Sequence, residues 1–330
     1  VARPLRLALI GAAVLLALAA AAAGGGWWWA QGYLRAPGPL AAPVTVDLPR
    51  GTGVVAIAGR LAAIGAIEHP RAFALLARLT GRDRSLKAGE YALEPGMSPD
   101  AILALLASGK VVLHPVAVPE GLTVHEVMAL LAAADVLSGD LPPTPPEGSL
   151  LPDTWLVPRG EPRAAMVERM RAAMAAALAQ VWAARPPDLP LRSPEEVLTL
   201  ASIIEKETAV PAEYPLVAAV FVNRLRRGMP LQTDPTVIYA LTDGKGPLGR
   251  DLLRADLQLD HPYNTYRIPG LPPGPIANPG RAALAATVAP AAVDYLYFVA
   301  DGSGGHAFAT TLAEHNRNVA KWRKLRQSGG

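Results

Sequence analysis

The chain has no cysteine among its 330 residues. That excludes disulfides, iron–sulfur clusters and thiolate zinc sites, and leaves the redox compartment open. No block of five or six like charges occurs, and no basic stretch is interleaved with aromatics. The 31 Lys and Arg residues against 28 Asp and Glu give a net charge of only +3. A nucleic-acid path is therefore not expected. The six histidines include no i, i+4 pair and no His-Glu-x-x-His run, so neither a zinc site nor any other metal or cofactor is expected. His306 and His315 read instead as hydrogen-bonding side chains, with His306 near a cleft. What is abundant is proline (33) and glycine (30), pointing to much loop and turn, within a chain that is 51% hydrophobic and long enough for two folded units.

Charge is also missing from residues 7–30, LALIGAAVLLALAAAAAGGGWWWA, which follow Arg3 and Arg6. As a helix this run is long enough to cross the ~30 Å hydrocarbon layer. Trp27, Trp28 and Trp29 stand at its far end, where indole rings favour the headgroup boundary, and the arginines favour the cytoplasmic side. The expectation is one transmembrane helix within residues 1–30, a linker over 31–43, and the rest of the chain outside the cytoplasm. A cleaved signal peptide is the rival reading.

Three segments then share one pattern: LPRG (48–51), LEPG (93–96) and VPEG (118–121). Each reads as an extended stretch, a glycine turn and a helix start. Six residues after each glycine stand Ile57, Ile102 and Val127, and ten after stand Leu61, Leu106 and Leu131, as an inward helix face requires. Thr45-Val46 and Tyr91-Ala92-Leu93 are strand candidates, and Ser98-Pro99-Asp100 supplies an N-cap with proline at the first helical position. The first copy, VTVDLPRGTGVVAIAGRL, is similar to the opening of LysM peptidoglycan-binding modules, so residues 44–137 are expected to be a small LysM-like α+β module. A generic strand-turn-helix packing unit is the alternative. Residues 138–160, rich in Pro, Gly and Asp, mark a boundary, and 161–330 form a larger mixed α+β domain. A helix is predicted there from Pro162 to Ala184.

Within that domain, LASIIEKETAV (200–210) carries the clearest chemical signal. Leu200, Ile203 and Ile204 make one helix face, and Glu207 is the next position on it. Glu205 lies about 200° round the helix and can stay solvated. The helix start is marked by Ser193-Pro194-Glu195-Glu196, a capping box with first-turn proline, and Pro211 stops it near Val210. An inward carboxyl group loses hydration, more so when charged, so its pKa should rise, and the negative helix end pushes the same way. A glutamic acid that keeps its proton at neutral pH can donate it to a leaving oxygen and then act as base. The competing explanation is a buried glutamate neutralised by Arg224 or Arg226.

The segments that follow suit carbohydrate. After a helix from Tyr214 to Arg227 comes MPLQTDPTVIYAL, with Asp234-Pro235 as a helix start and Gln232 and Thr233 in an extended stretch that could bond hydroxyl or acetamido groups. HPYNTYRIPGLPPGPIANPG is a proline-stiffened loop carrying Tyr263, Asn264, Thr265, Tyr266 and Asn278, an aromatic-and-amide mixture suited to sugar rings. A hairpin follows, Tyr295 to Ala300 and His306 to Thr310, then a capping box at Thr311 and Glu314.

Taken in order, IIEKETAV, VFVNRLRRGMPLQTDPTVIYAL, YNTY, GLPPGPIANPG, YLYFVADGSGGHAF and EHN resemble the endolytic murein transglycosylases, the YceG-like peptidoglycan terminases. The resemblance implies an inner-membrane, single-pass protein with a LysM-like module and a lytic domain acting on peptidoglycan glycan strands outside the cytoplasm. It places the catalytic residue at Glu207 and implies non-hydrolytic cleavage between N-acetylmuramic acid and N-acetylglucosamine, leaving a 1,6-anhydro ring and ending strand growth. Peptidoglycan synthases are the implied protein partners. Two alternatives stay open: a hydrolase using Glu205 or Asp234 as second carboxylate, and a non-enzymatic wall-binding scaffold.

Overall fold

The structure, a computed structural model, describes residues 2–328. Val1, Gly329 and Gly330 lie outside the described residues, as do the side chains of residues 2–6 and 328, among them Arg3 and Arg6. Helices dominate, and the described strands form four two-stranded pairs. The chain divides into two compact units, Val1–His114 with Pro158–Gly160, and Pro115–Val157 with Glu161–Gly330.

The first unit opens with α1 (Ala2–Arg35), of which Leu7–Arg35 is long and apolar enough to cross a membrane. The helix runs past residue 30, where the linker was expected, because Ala30 and Leu34 are buried in the unit's core. Ending it earlier would expose that apolar pair. β1 (Val44–Leu48) pairs antiparallel with β2 (Gly89–Leu93), from Val44 opposite Leu93 to Leu48 opposite Gly89. Alternation sends Val46, Leu48, Tyr91 and Leu93 inward onto α2 (Val54–Ala63), α3 (Pro70–Leu79) and α4 (Pro99–Ser108). The buried Tyr91 hydroxyl donates to the Lys87 carbonyl at 2.8 Å, which satisfies its polar end.

The repeat periodicity holds. Gly51, Gly96 and Gly121 all take left-handed φ (+82°, +69°, +76°), and the six helix positions following them, from Ile57 to Leu131, are buried. The third copy, β3 (Leu113–Val118) and α5 (Val124–Ala133), falls almost wholly in the second unit. There β3 pairs with β5 (Asp153–Pro158), and the two-residue β4 (Leu137–Ser138) runs parallel to β6 (Glu161–Pro162). The segment expected as a boundary thus contributes Leu150, Leu151 and Val157, all fully buried.

α6 (Arg163–Ala183), α7 (Pro194–Glu207), α8 (Tyr214–Arg226) and α10 (Arg281–Val288) build the core of the second unit, with α9 (Asp234–Thr242) beside them. α7 is enclosed by the other three, so it needs apolar groups almost all round, and Val197, Leu200, Ala201, Ile203 and Ile204 are wholly inaccessible. Ser193 caps it, accepting from the Glu196 amide at 3.3 Å, while Glu196 reaches back to the Arg192 amide instead of completing the expected box on Ser193. The hairpin of β7 (Tyr297–Ala300) and β8 (His306–Ala309) packs under α11 (Leu312–Ser328), whose start is held by Thr311 and Glu314.

Candidate active site

Glu207 is the last residue of α7; Thr208 is already extended (φ −141°, ψ 137°). The helix phase that buries Ile203 and Ile204 aims this carboxyl inward, and the end of the helix brings it to the meeting of two clefts. On one side is a cavity of about 370 Å³ whose lining includes Phe221, Arg224, Gln232, Tyr266 and His315. On the other is a cleft of about 400 Å³ lined by Glu120, Gly121, Glu205, Lys206 and Tyr214. Glu207 borders both.

Its electrostatics follow from that position. Burial pushes the Glu207 carboxyl up from 4.5 to about 7. A hydrogen bond donated by the Thr233 hydroxyl opposes the rise, the nearby Asp234 adds to it, and His306 and Arg224 weaken it. Neither candidate counter-ion forms a pair with it. Arg226 binds Asp188 at 2.9 Å, and Arg224 gives Nε to the Leu296 carbonyl at 2.7 Å and Nη1 to that of Leu231 at 2.8 Å. Among the described residues no ion pair involves Glu207, so a neutralised structural glutamate does not describe it.

The second acidic groups are occupied. Glu205 accepts from the Tyr214 hydroxyl at 2.7 Å and from the Gly280 amide at 2.9 Å. Asp234 accepts from the Tyr266 hydroxyl at 2.6 Å. Asp234 is also not the cap of α9: Thr233 occupies the cap position, and its hydroxyl is directed to Glu207 instead.

The residues expected to meet sugar divide into three groups. Gln232 lines the cavity with an exposed side chain and a strained left-handed backbone (φ +48°), its N–H donating to the Thr265 carbonyl, whereas Thr233 is buried, does not line the cavity and gives its hydroxyl to Glu207. Asn264, Thr265 and Asn278 are fully buried and hold the loop. Asn264 bonds the Leu257 and Leu259 carbonyls; Thr265 accepts from the Thr233 amide and meets Thr236; Asn278 accepts from the Leu150 amide and donates to the Leu122 carbonyl. Tyr263 packs on Tyr239 at 4.9 Å and lines neither cleft, whereas Tyr266 lines the cavity. His306 sits behind Glu207: its amide and Nδ1 both meet Glu213, which also accepts from the Thr208 hydroxyl at 2.9 Å. Burial alone would raise the Glu213 carboxyl, but these three bonds hold it below its ordinary value. The network clamps the residue next to Glu207. Phe221 and Phe298 also line the cavity, and nothing in their local spacing sets them apart from core residues, so only the packed chain reveals them; His315, expected as a hydrogen-bonding side chain, lines it too, but its ring makes none of the described hydrogen bonds.

The ordered motifs meet around Glu207, and residues 46–321 match the model of the YceG-like family. The chain belongs to this family. Among its relatives, the endolytic murein transglycosylase of Bacillus subtilis (strain 168) is 33% identical over 311 residues, covering 84% of each protein. That of Streptococcus pneumoniae serotype 2 is 31% identical over 327 residues, and the match covers 84% of this chain but 58% of the pneumococcal protein. The crystal structure of a YceG-like protein from Listeria monocytogenes superposes with a TM-score of 0.51 at 31% identity, over 83% of this chain and 98% of that one. Family membership accounts for the whole run from the first repeat to α11.

Proposed function

We propose that this chain is a lyase, a membrane-anchored endolytic lytic transglycosylase of peptidoglycan. The observation that carries the reading is the carboxyl group of Glu207, held at about pKa 7 with no ion pair among the described residues where two clefts meet. A glycan strand laid through both clefts would bring its glycosidic oxygen to that group. Glu207 donates its proton to the oxygen linking N-acetylmuramic acid to N-acetylglucosamine as the C1–O bond breaks. The carboxylate then takes the proton of the muramyl C6 hydroxyl, whose oxygen bonds C1 to close the 1,6-anhydro ring. Glu207 ends protonated as it began, and no water is consumed. A hydrolase needs a second free carboxylate at a defined spacing, and the bonds already held by Glu205 and Asp234 argue against either in that role.

In this reading Gln232 meets the sugar directly, and Thr233 holds the Glu207 carboxyl from behind. Tyr263, Asn264, Thr265 and Asn278 keep the loop in shape behind them, and His306 steadies the end of α7 through Glu213. Relatives named as endolytic murein transglycosylases support the substrate class. The apolar helix α1 supports single-pass anchoring, with the chain beyond it on the outer face of the inner membrane, near nascent strands and their synthases. The first unit, built on β1 and β2, is assigned as the LysM-like wall-binding module.

Digesting purified sacculi with the full chain and analysing the new ends by mass spectrometry tests the reaction. Anhydromuramyl ends are expected from the wild type, and Glu207→Gln should be slower by about 10²-fold or more. Ordinary reducing ends, or an undiminished rate in the variant, would refute it.

A further inference from the structure

His315 stands in the first turn of α11 and lines the same cavity as Glu207. Its ring stacks on Tyr297 at 5.2 Å and 24°, which restrains rotation. The Nδ1 atom is buried and has no hydrogen-bond partner among the described residues. Nε2 makes none of the described hydrogen bonds and is not among the buried unpaired atoms. Burial holds the ring's pKa below its ordinary value, and the positive charge of Arg224 adds to this. The positive end of α11 acts in the same sense. The ring is therefore uncharged at neutral pH and carries one hydrogen.

Which nitrogen carries that hydrogen follows from the packing. A proton on Nδ1 would bury an unpaired N–H donor, the rarer and costlier defect in a protein interior. A bare lone pair there costs less, so the hydrogen belongs on Nε2, the open side of the ring. Two neighbouring donors in this cavity are already engaged: Arg224 gives Nε and Nη1 to backbone carbonyls, and the Tyr266 hydroxyl is given to Asp234. His315 thus presents Nε2–H on the open side of its ring, where none of the described hydrogen bonds engages it.

We propose that the Nε2–H of His315 donates a hydrogen bond to an oxygen of the bound sugar, a hydroxyl or an acetamido carbonyl, in the Glu207 cavity. The contact orients the ring whose glycosidic oxygen Glu207 protonates. This rests on the transglycosylase reading given above. An oxygen acceptor suits an uncharged donor because the pair forms without desolvating a charge.

The test uses the full chain in detergent, with uncrosslinked glycan strands as substrate. His315→Ala should lower kcat/KM by about tenfold, the usual loss for one neutral hydrogen bond to substrate. His315→Gln, which keeps an N–H donor, should retain more activity, and added imidazole should restore part of the alanine variant's rate. Unchanged kcat/KM in His315→Ala would overturn the proposal, as would a loss that imidazole and glutamine both fail to recover and that tracks a fallen Tm. Binding separates this inference from the reaction itself. Strand affinity of Glu207→Gln should fall about tenfold on adding His315→Ala; equal affinities overturn the histidine contact even if the wild type makes anhydro ends. A wild type that binds strands through His315 but makes no anhydro ends would refute the transglycosylase reading and leave the contact standing.

Discussion

Replacing Glu207 by glutamine should stabilise the folded chain, and by an amount that depends on pH. The folded carboxyl titrates at about 7, against 4.5 for an ordinary glutamate. Below 4.5 the folded and unfolded chains both hold the proton, so ionisation contributes nothing to the difference between them. Between 4.5 and 7 the unfolded chain ionises while the folded one keeps its proton, and stability falls as pH rises. Above 7 both are ionised and the folded state carries the full penalty. At about 1.4 kcal/mol per pH unit the interval from 4.5 to 7 amounts to about 3 kcal/mol. Glutamine has no proton to lose and still offers a carbonyl oxygen to the Thr233 hydroxyl. Denaturant unfolding of both proteins in detergent, compared from pH 4 to pH 8, measures the effect. The variant's advantage, set to zero at pH 4, should grow through pH 5 and 6 and level off above pH 7. A difference that stays flat across this range would show that the carboxyl is as well solvated in the fold as outside it, and the proton-donor argument would fail with it.

Two further substitutions probe the surroundings of that group. Thr233→Val removes the hydrogen bond that favours the ionised carboxyl, so the alkaline limb of the activity profile should move up by about one pH unit, given ~1.5–3 kcal/mol for a hydrogen bond to a charge; a downward move would contradict the assigned sign. Asn278→Ala leaves the buried Leu150 amide without its acceptor, which should cost about 1–3 kcal/mol and lower Tm by roughly 5 °C. An unaltered melting curve would mean that the loop is held by its prolines alone.

Much of the helical architecture was legible because its signals are local. Proline at the first turn after Ser98 and Ser193, glycine after each repeat and the spacing of apolar residues placed α4, α7 and the repeat helices to within a few residues. Where the chain departs from these expectations, a distant partner is responsible. α1 continues beyond residue 30 because Ala30 and Leu34 find a core to enter, and Thr233, whose neighbours mark a simple helix start, turns its hydroxyl to a carboxyl 26 residues away. The loop residues show the same limit: composition suits Asn264 and Asn278 to sugar, but the fold spends their amides on backbone groups, those of Leu257 and Leu259 for Asn264 and those of Leu122 and Leu150 for Asn278.

The order of residues by itself determined that Glu207 points inward from the end of an apolar helix, since helix periodicity needs no knowledge of what lies opposite. It also determined that the chain begins with an apolar segment long enough to span a bilayer and that three glycine turns open three buried helix faces. Only the tertiary structure decided that the carboxyl has no counter-ion among the described residues, that Glu205 and Asp234 are already bonded elsewhere, and that His315 reaches the same cavity from a helix more than a hundred residues later. Desolvation and hydrogen-bond partnership depend on which atoms surround a group, and those atoms come from segments that meet only when the chain is packed.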